Sequence, residues 1–558
     1  MSEQWRDLVK EKKLRQQAAI PEAWIISPPP SSRLNVLELP EETGLLTPRE
    51  VEITESHVED LLPKLASGAW SAVDVTGAFS KRAIIAHQVV NCLTEIFIEQ
   101  ALQRAAVLDE YLSKTGKVVG PLHGLPISLK DQLAMKGFET VMGYVSWIGK
   151  YSEVDAALVE ILVAQGAVPF VRTNVPQTLM WPETFNNVFG RTLNPHNRSL
   201  TPGGSSGGEG ALIGMRGSAL GVGSDIGGSI RIPSLFNGLY GLRPSYGRVP
   251  YRGAANSMEG QDSLPSVLGP LSTSLGGIKI FMKAVIDGKP WKKDPLAVNK
   301  PWDESSFALK EHNNGHQLVF GIMWNDGNVV PHPPVLRALE ITRNALIEAG
   351  HKVVDWIPYK HKEIIINARA IWASGSQEDY VSITSLTGEP LIHTMSLEQD
   401  PLAPPSFRLT AAPKTAFQLW QLHKEKRNYR QEYLDHWEAT VAQMGTGRCI
   451  DAIIAPGAPY AAPPHGKNYS ADFTMIWNAL DYPAMVLPVV KVDATLDKVR
   501  PPHQFLSEED KTNYESYNPE TFTDAPVGIQ IVGRTCEEEA LIAISEIADA
   551  AIKSFLTK

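Results

Sequence analysis

From about residue 120 the chain alternates between two hydrophobic patterns. Segments with apolar residues at three- and four-residue spacing stop at a glycine. A short, unbroken apolar run then follows. Val154 to Ala164 is a helical run halted at Gly166, and "AVPFVR" (167–172) follows as a strand. "PVLRALEITRNALIEAG" ends at Gly350, and "HKVVDW" (351–356) follows in the same way. Pro126 to Lys130, "CIDAIIAP" (449–456) and "PVGIQIVG" (526–533) read as further buried strands. Thr535 and Glu538 have the spacing of a capping box for a terminal helix reaching about Lys553. Helices alternating with apolar strands predict an α/β fold around a buried mixed sheet.

The first 115 residues read as mostly helical. Ser71 and Asp74 are spaced as a capping box, and the apolar period beyond them continues to Phe97. Prolines and acidic residues at 26–50 predict an extended, wrapping segment. The expected organisation is an N-terminal helical and extended segment over 1–70 and a catalytic body over 71–558. Within the body, 285–450 is rich in proline and tryptophan and contains a predicted helix from Thr415 to about Met444. It is expected to elaborate the α/β core and to contribute to a substrate pocket, because the last strand and helix return after it.

Composition removes several function classes. Of 558 residues, 43% are hydrophobic and 20% charged, the balance of a globular chain rather than a disordered one. A net charge of -10 argues against general attraction to nucleic acid or anionic lipid. Three cysteines without paired spacing do not make a disulfide framework or a zinc site. The charged N-terminus is unlike a signal peptide, and the longer apolar runs are broken by Gly, Gln and Pro. The reading is therefore cytoplasmic, without stable membrane insertion.

Residues 201–230, "TPGGSSGGEGALIGMRGSALGVGSDIGGSI", carry the candidate chemistry. Interspersed Leu, Ile, Val and Met must be buried, so this is not a free linker. No lysine precedes a Ser or Thr in the manner of a phosphate-binding loop, and Ile226 stands where a dinucleotide fingerprint needs its third glycine. Serine chemistry remains. The successive amides of Ile226, Gly227, Gly228 and Ser229 are able to form a nest for a developing oxyanion. A serine there needs a base. From the residues alone, both a histidine, with His123 as a pocket candidate, and a desolvated Lys130 stay open. His312 and His316 are separated by "NNG", which argues for a loop rather than a metal-binding helix face.

"GPLHGLPISLKD", "TPGGSSGGEGAL" and "GVGSDIGGSIRIP" together resemble the amidase signature family of serine hydrolases. The resemblance continues through "FNGLYGLRPSYGR" and "DAPVGIQIVGR" and covers roughly residues 55–555. "LDEYLSKTGKVVGPLHGLPISLKDQL", "NSMEGQ" and "VVPHPP" look more narrowly like fungal acetamidases and general amidases. The resemblance implies a large twisted mixed sheet covered by helices on both faces. It also implies Ser229 as nucleophile, Ser205 as the bridging serine after a cis peptide, and Lys130 as base. Ser206 would support by hydrogen bonding, and Asp225 and Arg231 would brace the nucleophile loop. No cofactor or metal is implied.

The implied reaction is hydrolysis of a small to medium carboxamide, acetamide-like or aromatic, to carboxylate and ammonia through an acyl-serine. In "PQTLMWPETFNN" (176–187), Met180 and Trp181 are candidate pocket walls. Two alternatives are a fatty acid amide hydrolase-like enzyme acting on long-chain acyl amides and a glutamine-hydrolysing amidotransferase subunit. The expected partner is a small-molecule amide, with no nucleic acid, and family analogy admits a homodimer.

Overall fold

The computed structural model describes residues 4–395 and 414–558. Part of the 285–450 elaboration, residues 396–413, lies outside the described residues. Eleven strands form one mixed sheet. In chain order they are β1 (Leu93–Ile96), β2 (Pro126–Lys130), β3 (Val168–Thr173), β4 (Leu220–Asp225), β5 (Tyr240–Arg243) and β6 (Val267–Ser272). Then come β7 (Val319–Ile322), β8 (Lys352–Asp355), β9 (Ala452–Pro456), β10 (Ala484–Lys491) and β11 (Pro526–Val532). Across the sheet the order is β1-β3-β2-β4-β6-β5-β10-β11-β9-β7-β8. Strand β2 runs parallel to both β3 and β4, and β7 runs parallel to β8 and β9; the other pairings are antiparallel. Helices cover both faces. The all-buried strands β2, β3, β9 and β11 explain why these segments read as apolar runs.

Several sequence expectations are corrected at their edges. The helix after Ser71 is Ala72–Val90, not a run to Phe97. Asn91 ends it in the left-handed region at φ 53°, and β1 carries the apolar pattern onward against β3. Ser71 does accept the Asp74 N–H, but the acceptors for the Ala72 and Val73 amides come from Asp109. The run at 154 becomes helical only at Ala157. Thr535 and Glu538 form no capping box: the terminal helix is Glu538–Leu556 with no side-chain cap. Glu538 is instead drawn to Arg248 and the Ser245 amide, and Thr535 donates to the Asp481 carbonyl. Thr415 does cap its helix with Gln418, but that helix stops at Glu438 and a separate turn follows at Val441–Met444. The wrapping segment at 26–50 includes short helices at Leu39–Glu42 and Pro48–Glu55.

Two features bear on the site. The N-terminal helix Gln4–Ala18 is pinned to the body by buried Lys12, which pairs with Glu139 at 2.6 Å and with Glu95. Strands β7 and β8, from within 285–450, extend one edge of the sheet. Helices His361–Trp372, Ala416–Glu438 and Asp472–Leu480 pack on one another beside that edge, around Trp356, Tyr433, Trp437 and Trp477. That second apolar core carries Trp372 and Met475 to the cavity described next. Among the described residues no helix is long and apolar enough to cross a membrane.

Candidate active site

Parallel pairing of β2 with β4 brings their C-terminal ends to the same edge of the sheet, where α/β folds place their ligands. Lys130 is the last residue of β2 and is fully buried. Its Nζ lies 2.7 Å from Ser205 Oγ and 2.8 Å from Ser224 Oγ. Burial pushes the Lys130 ammonium down to about 7, against the pull of Asp225 and Glu209. Glu209 sits on the helix that follows Ser206 and accepts from Ser128 Oγ at 2.6 Å and Thr173 Oγ1 at 2.9 Å. Its own burial raises it to about 7.

The two Gly-Gly-Ser segments meet here. The Gly204–Ser205 peptide is cis. Gly204 lies so close to Glu183 that a Cβ would fall 2.4 Å from its carbonyl oxygen. Ser206 hydrogen-bonds with the Ser224 backbone through its hydroxyl, and its amide donates to the Ser229 carbonyl at 3.2 Å. Gly228 has φ +136°, and a Cβ there would fall 2.2 Å from Thr474 Oγ1, so only glycine fits.

The loop that carries Ser229 is braced from below. Arg231 and Asp225, both fully buried, form a bidentate pair with two contacts of 3.0 Å. Arg231 also donates to Asn478 Oδ1, the Thr474 carbonyl and Gln530 Oε1. Burial would raise the Asp225 carboxyl, but the Arg231 charge and hydrogen bonds hold it down to about 2. Asp225 Oδ1 also takes the Gly228 N–H at 2.8 Å. This corrects the four-amide nest: the Gly228 amide is engaged by its own loop. The amides of Ile226, Gly227 and Ser229 are the three with no acceptor among the described residues.

Ser229 faces a narrow cavity of about 30 Å³. Met180 and Trp181 line it, as do Leu179, Ile226, Trp372 and Met475. His123 does not. It is buried in the turn before β2, where its Nδ1 accepts the Val119 N–H, and its backbone closes on Gly166. His312 pairs with Asp451 at 2.8 Å, and no group of three metal-ligating side chains exists among the described residues. Sequence reading missed Gln132, Ser224, Thr474, Asn478 and Gln530. The available signal was polarity inside apolar runs, as with Gln530 in "PVGIQIVG" and Ser224 in "GVGSDIGG".

A buried lysine at a strand end against one loop serine, with a second loop serine stitched alongside and opening on a cavity, is the equipment of a serine hydrolase. A family model described as Amidase matches residues 74–542, and the chain belongs to that family as a hydrolase acting on carboxamides. The acetamidase of Emericella nidulans is 45% identical over 549 residues, which is 98% of each chain. The acetamidase of Aspergillus oryzae is 43% identical over 546 residues, again 98% of each. The solved structure of a fatty acid amide hydrolase superposes with a TM-score of 0.91 at 34% identity, over 99% of this chain and 95% of that one.

Proposed function

We propose that the protein hydrolyses a small carboxamide, acetamide or a near homologue, to the carboxylate and ammonia through an acyl-Ser229 intermediate. The observation that carries this reading is Lys130 Nζ, wholly buried and 2.7 Å from Ser205 Oγ. Neutral Lys130 accepts the Ser205 proton while Ser205 takes the proton of Ser229, whose oxygen bonds to the amide carbon. The backbone amides of the loop hold the oxyanion, and one such donor is worth about 3 kcal/mol. The C–N bond then breaks as Ser205 returns a proton to the departing nitrogen. Water attacks the acyl-enzyme by the same relay, releasing the carboxylate and restoring the Ser229 hydroxyl.

A small acyl group is favoured because the cavity is tight and its walls are bulky. The names of the two acetamidase relatives point the same way. The likeness to a fatty acid amide hydrolase favours a second reading, long-chain acyl amides. Ammonia release from acetamide, benzamide, a long-chain primary amide and glutamine separates these. Turnover of acetamide well above the others is expected, and turnover confined to the long-chain amide or to glutamine would overturn the proposal.

A further inference from the structure

Gln132 lies two residues beyond Lys130 and is fully buried. Its Nε2 is 2.9 Å from the Ala255 carbonyl and 3.1 Å from Tyr251 Oη. A carbonyl only accepts, so the amino end of this amide faces Ala255 and Oε1 faces the other way. That oxygen is 2.5 Å from Ser224 Oγ and has no proton to give, so the Ser224 hydroxyl proton points at Gln132. Ser224 Oγ is left with lone pairs for Lys130 Nζ at 2.8 Å. Lys130 must therefore donate an N–H to Ser224.

We propose that Gln132 is a positioning residue which, through Ser224, sets the direction of the hydrogen bonds at Lys130 and so keeps the amine lone pair for the Ser205 proton. The proposal rests on the reading of Lys130 as the base. A neutral amine has one lone pair, and two hydroxyls lie within reach of it. Without the Gln132 acceptor, the Ser224 hydroxyl is free to donate into that lone pair and compete with Ser205. With it, the Lys130-to-Ser224 bond keeps the same direction before and after proton transfer. The Ser229 proton moves to Ser205 and the Ser205 proton to Nζ, which becomes an ammonium. Ser224 accepts from it throughout, so this side of the site needs no reorganisation.

The test is a cycle of Gln132→Met, Ser224→Ala and the double variant. It is read by ammonia release from acetamide and by the rate of fluorophosphonate labelling, with folding checked by circular dichroism. Gln132→Met is expected to lower kcat and the labelling rate about 10- to 100-fold with KM nearly unchanged. Adding Ser224→Ala removes the misdirected hydroxyl and is expected to restore activity about threefold or more, a coupling that lost packing alone would not produce. Parent-like rates in Gln132→Met, or a double variant no faster than Gln132→Met, would overturn the proposal. If Gln132→Met does not fold, Ser224→Ala decides: a roughly tenfold loss of kcat at constant KM supports it, and a parent-like kcat sinks it. Lys130→Ala separates the two levels. If it stays active, the base assignment itself fails. If it is dead while Gln132→Met is unaffected, only the role of Gln132 is lost.

Discussion

The amide of Ser206 donates to the carbonyl of Ser229 at 3.2 Å, so the two glycine-rich segments are stitched together beside the cavity. Ser205, the neighbour of Ser206, faces Lys130, whereas Ser229 faces the cavity. The two serines are thus expected to differ in kind. Ser229→Ala should lose roughly 10⁴-fold in turnover and take up no fluorophosphonate. Ser205→Ala should be slowed yet still label at Ser229, as located by peptide mass spectrometry. A stable adduct on Ser205 in the parent protein would reverse the two roles.

With Lys130 as the proposed base, its burial is expected to set the pH dependence. Its ammonium is pushed down to about 7 by desolvation, and only the neutral amine accepts a proton. Below about 7 the base is progressively protonated, so kcat/KM should fall about tenfold per pH unit; above it the rate should level off. An acid limb with its inflection near the ordinary lysine value of about 10.4 would show that the lysine is not desolvated as the structure places it.

Asp225 and Arg231 are both fully buried, and removing one strands the other. Asp225→Ala should destabilise the fold by about 3–5 kcal/mol, because an uncompensated guanidinium remains beneath the loop that carries Ser229. It also deprives the Gly228 N–H of its acceptor. The thermal midpoint should fall clearly, while Lys114→Ala, at a pair with Glu110 exposed on both sides, should change stability by no more than about 0.5 kcal/mol. Equal midpoints for the two variants would contradict the bracing role.

Five of the eleven strands were legible as short apolar runs, because a strand buried on both faces admits few polar residues; Pro126–Lys130 is a strand at the limits its pattern predicts. Boundaries were less legible where an apolar pattern passes from one element to the next, as at Asn91, whose left-handed backbone does not alter hydrophobic periodicity. The Thr535–Glu538 spacing misled because Glu538 is claimed by Arg248, a partner hundreds of residues away. For the same reason the motifs exposed Lys130, Ser205 and Ser229 as candidates but not Gln132 or Asn478. A lone buried polar residue reveals its purpose only once its partners from other strands and helices are in place. The engagement of Gly228 by Asp225 was equally hidden, since it depends on how one short loop turns back on itself.

Trp372 gives the sharpest test of substrate size. It ends the helix His361–Trp372, within the elaboration that sequence reading associated with the pocket, and it lines the cavity with Met180 and Met475. Its Cη2 lies 3.3 Å from where a Cβ on Gly227 would stand, so the ring edge closes directly on the glycine loop. Trp372→Leu removes the ring and keeps an apolar side chain, limiting the destabilisation that full truncation of a buried aromatic brings, about 3–5 kcal/mol. The freed volume adjoins Ser229, so longer acyl groups gain room while acetamide loses a wall. The ratio of kcat/KM for hexanamide over acetamide should rise about 10- to 100-fold. Measuring that ratio in the parent and in Trp372→Leu, with melting curves to confirm folding, decides the point. An unchanged ratio in a folded variant would mean that another wall limits the acyl chain.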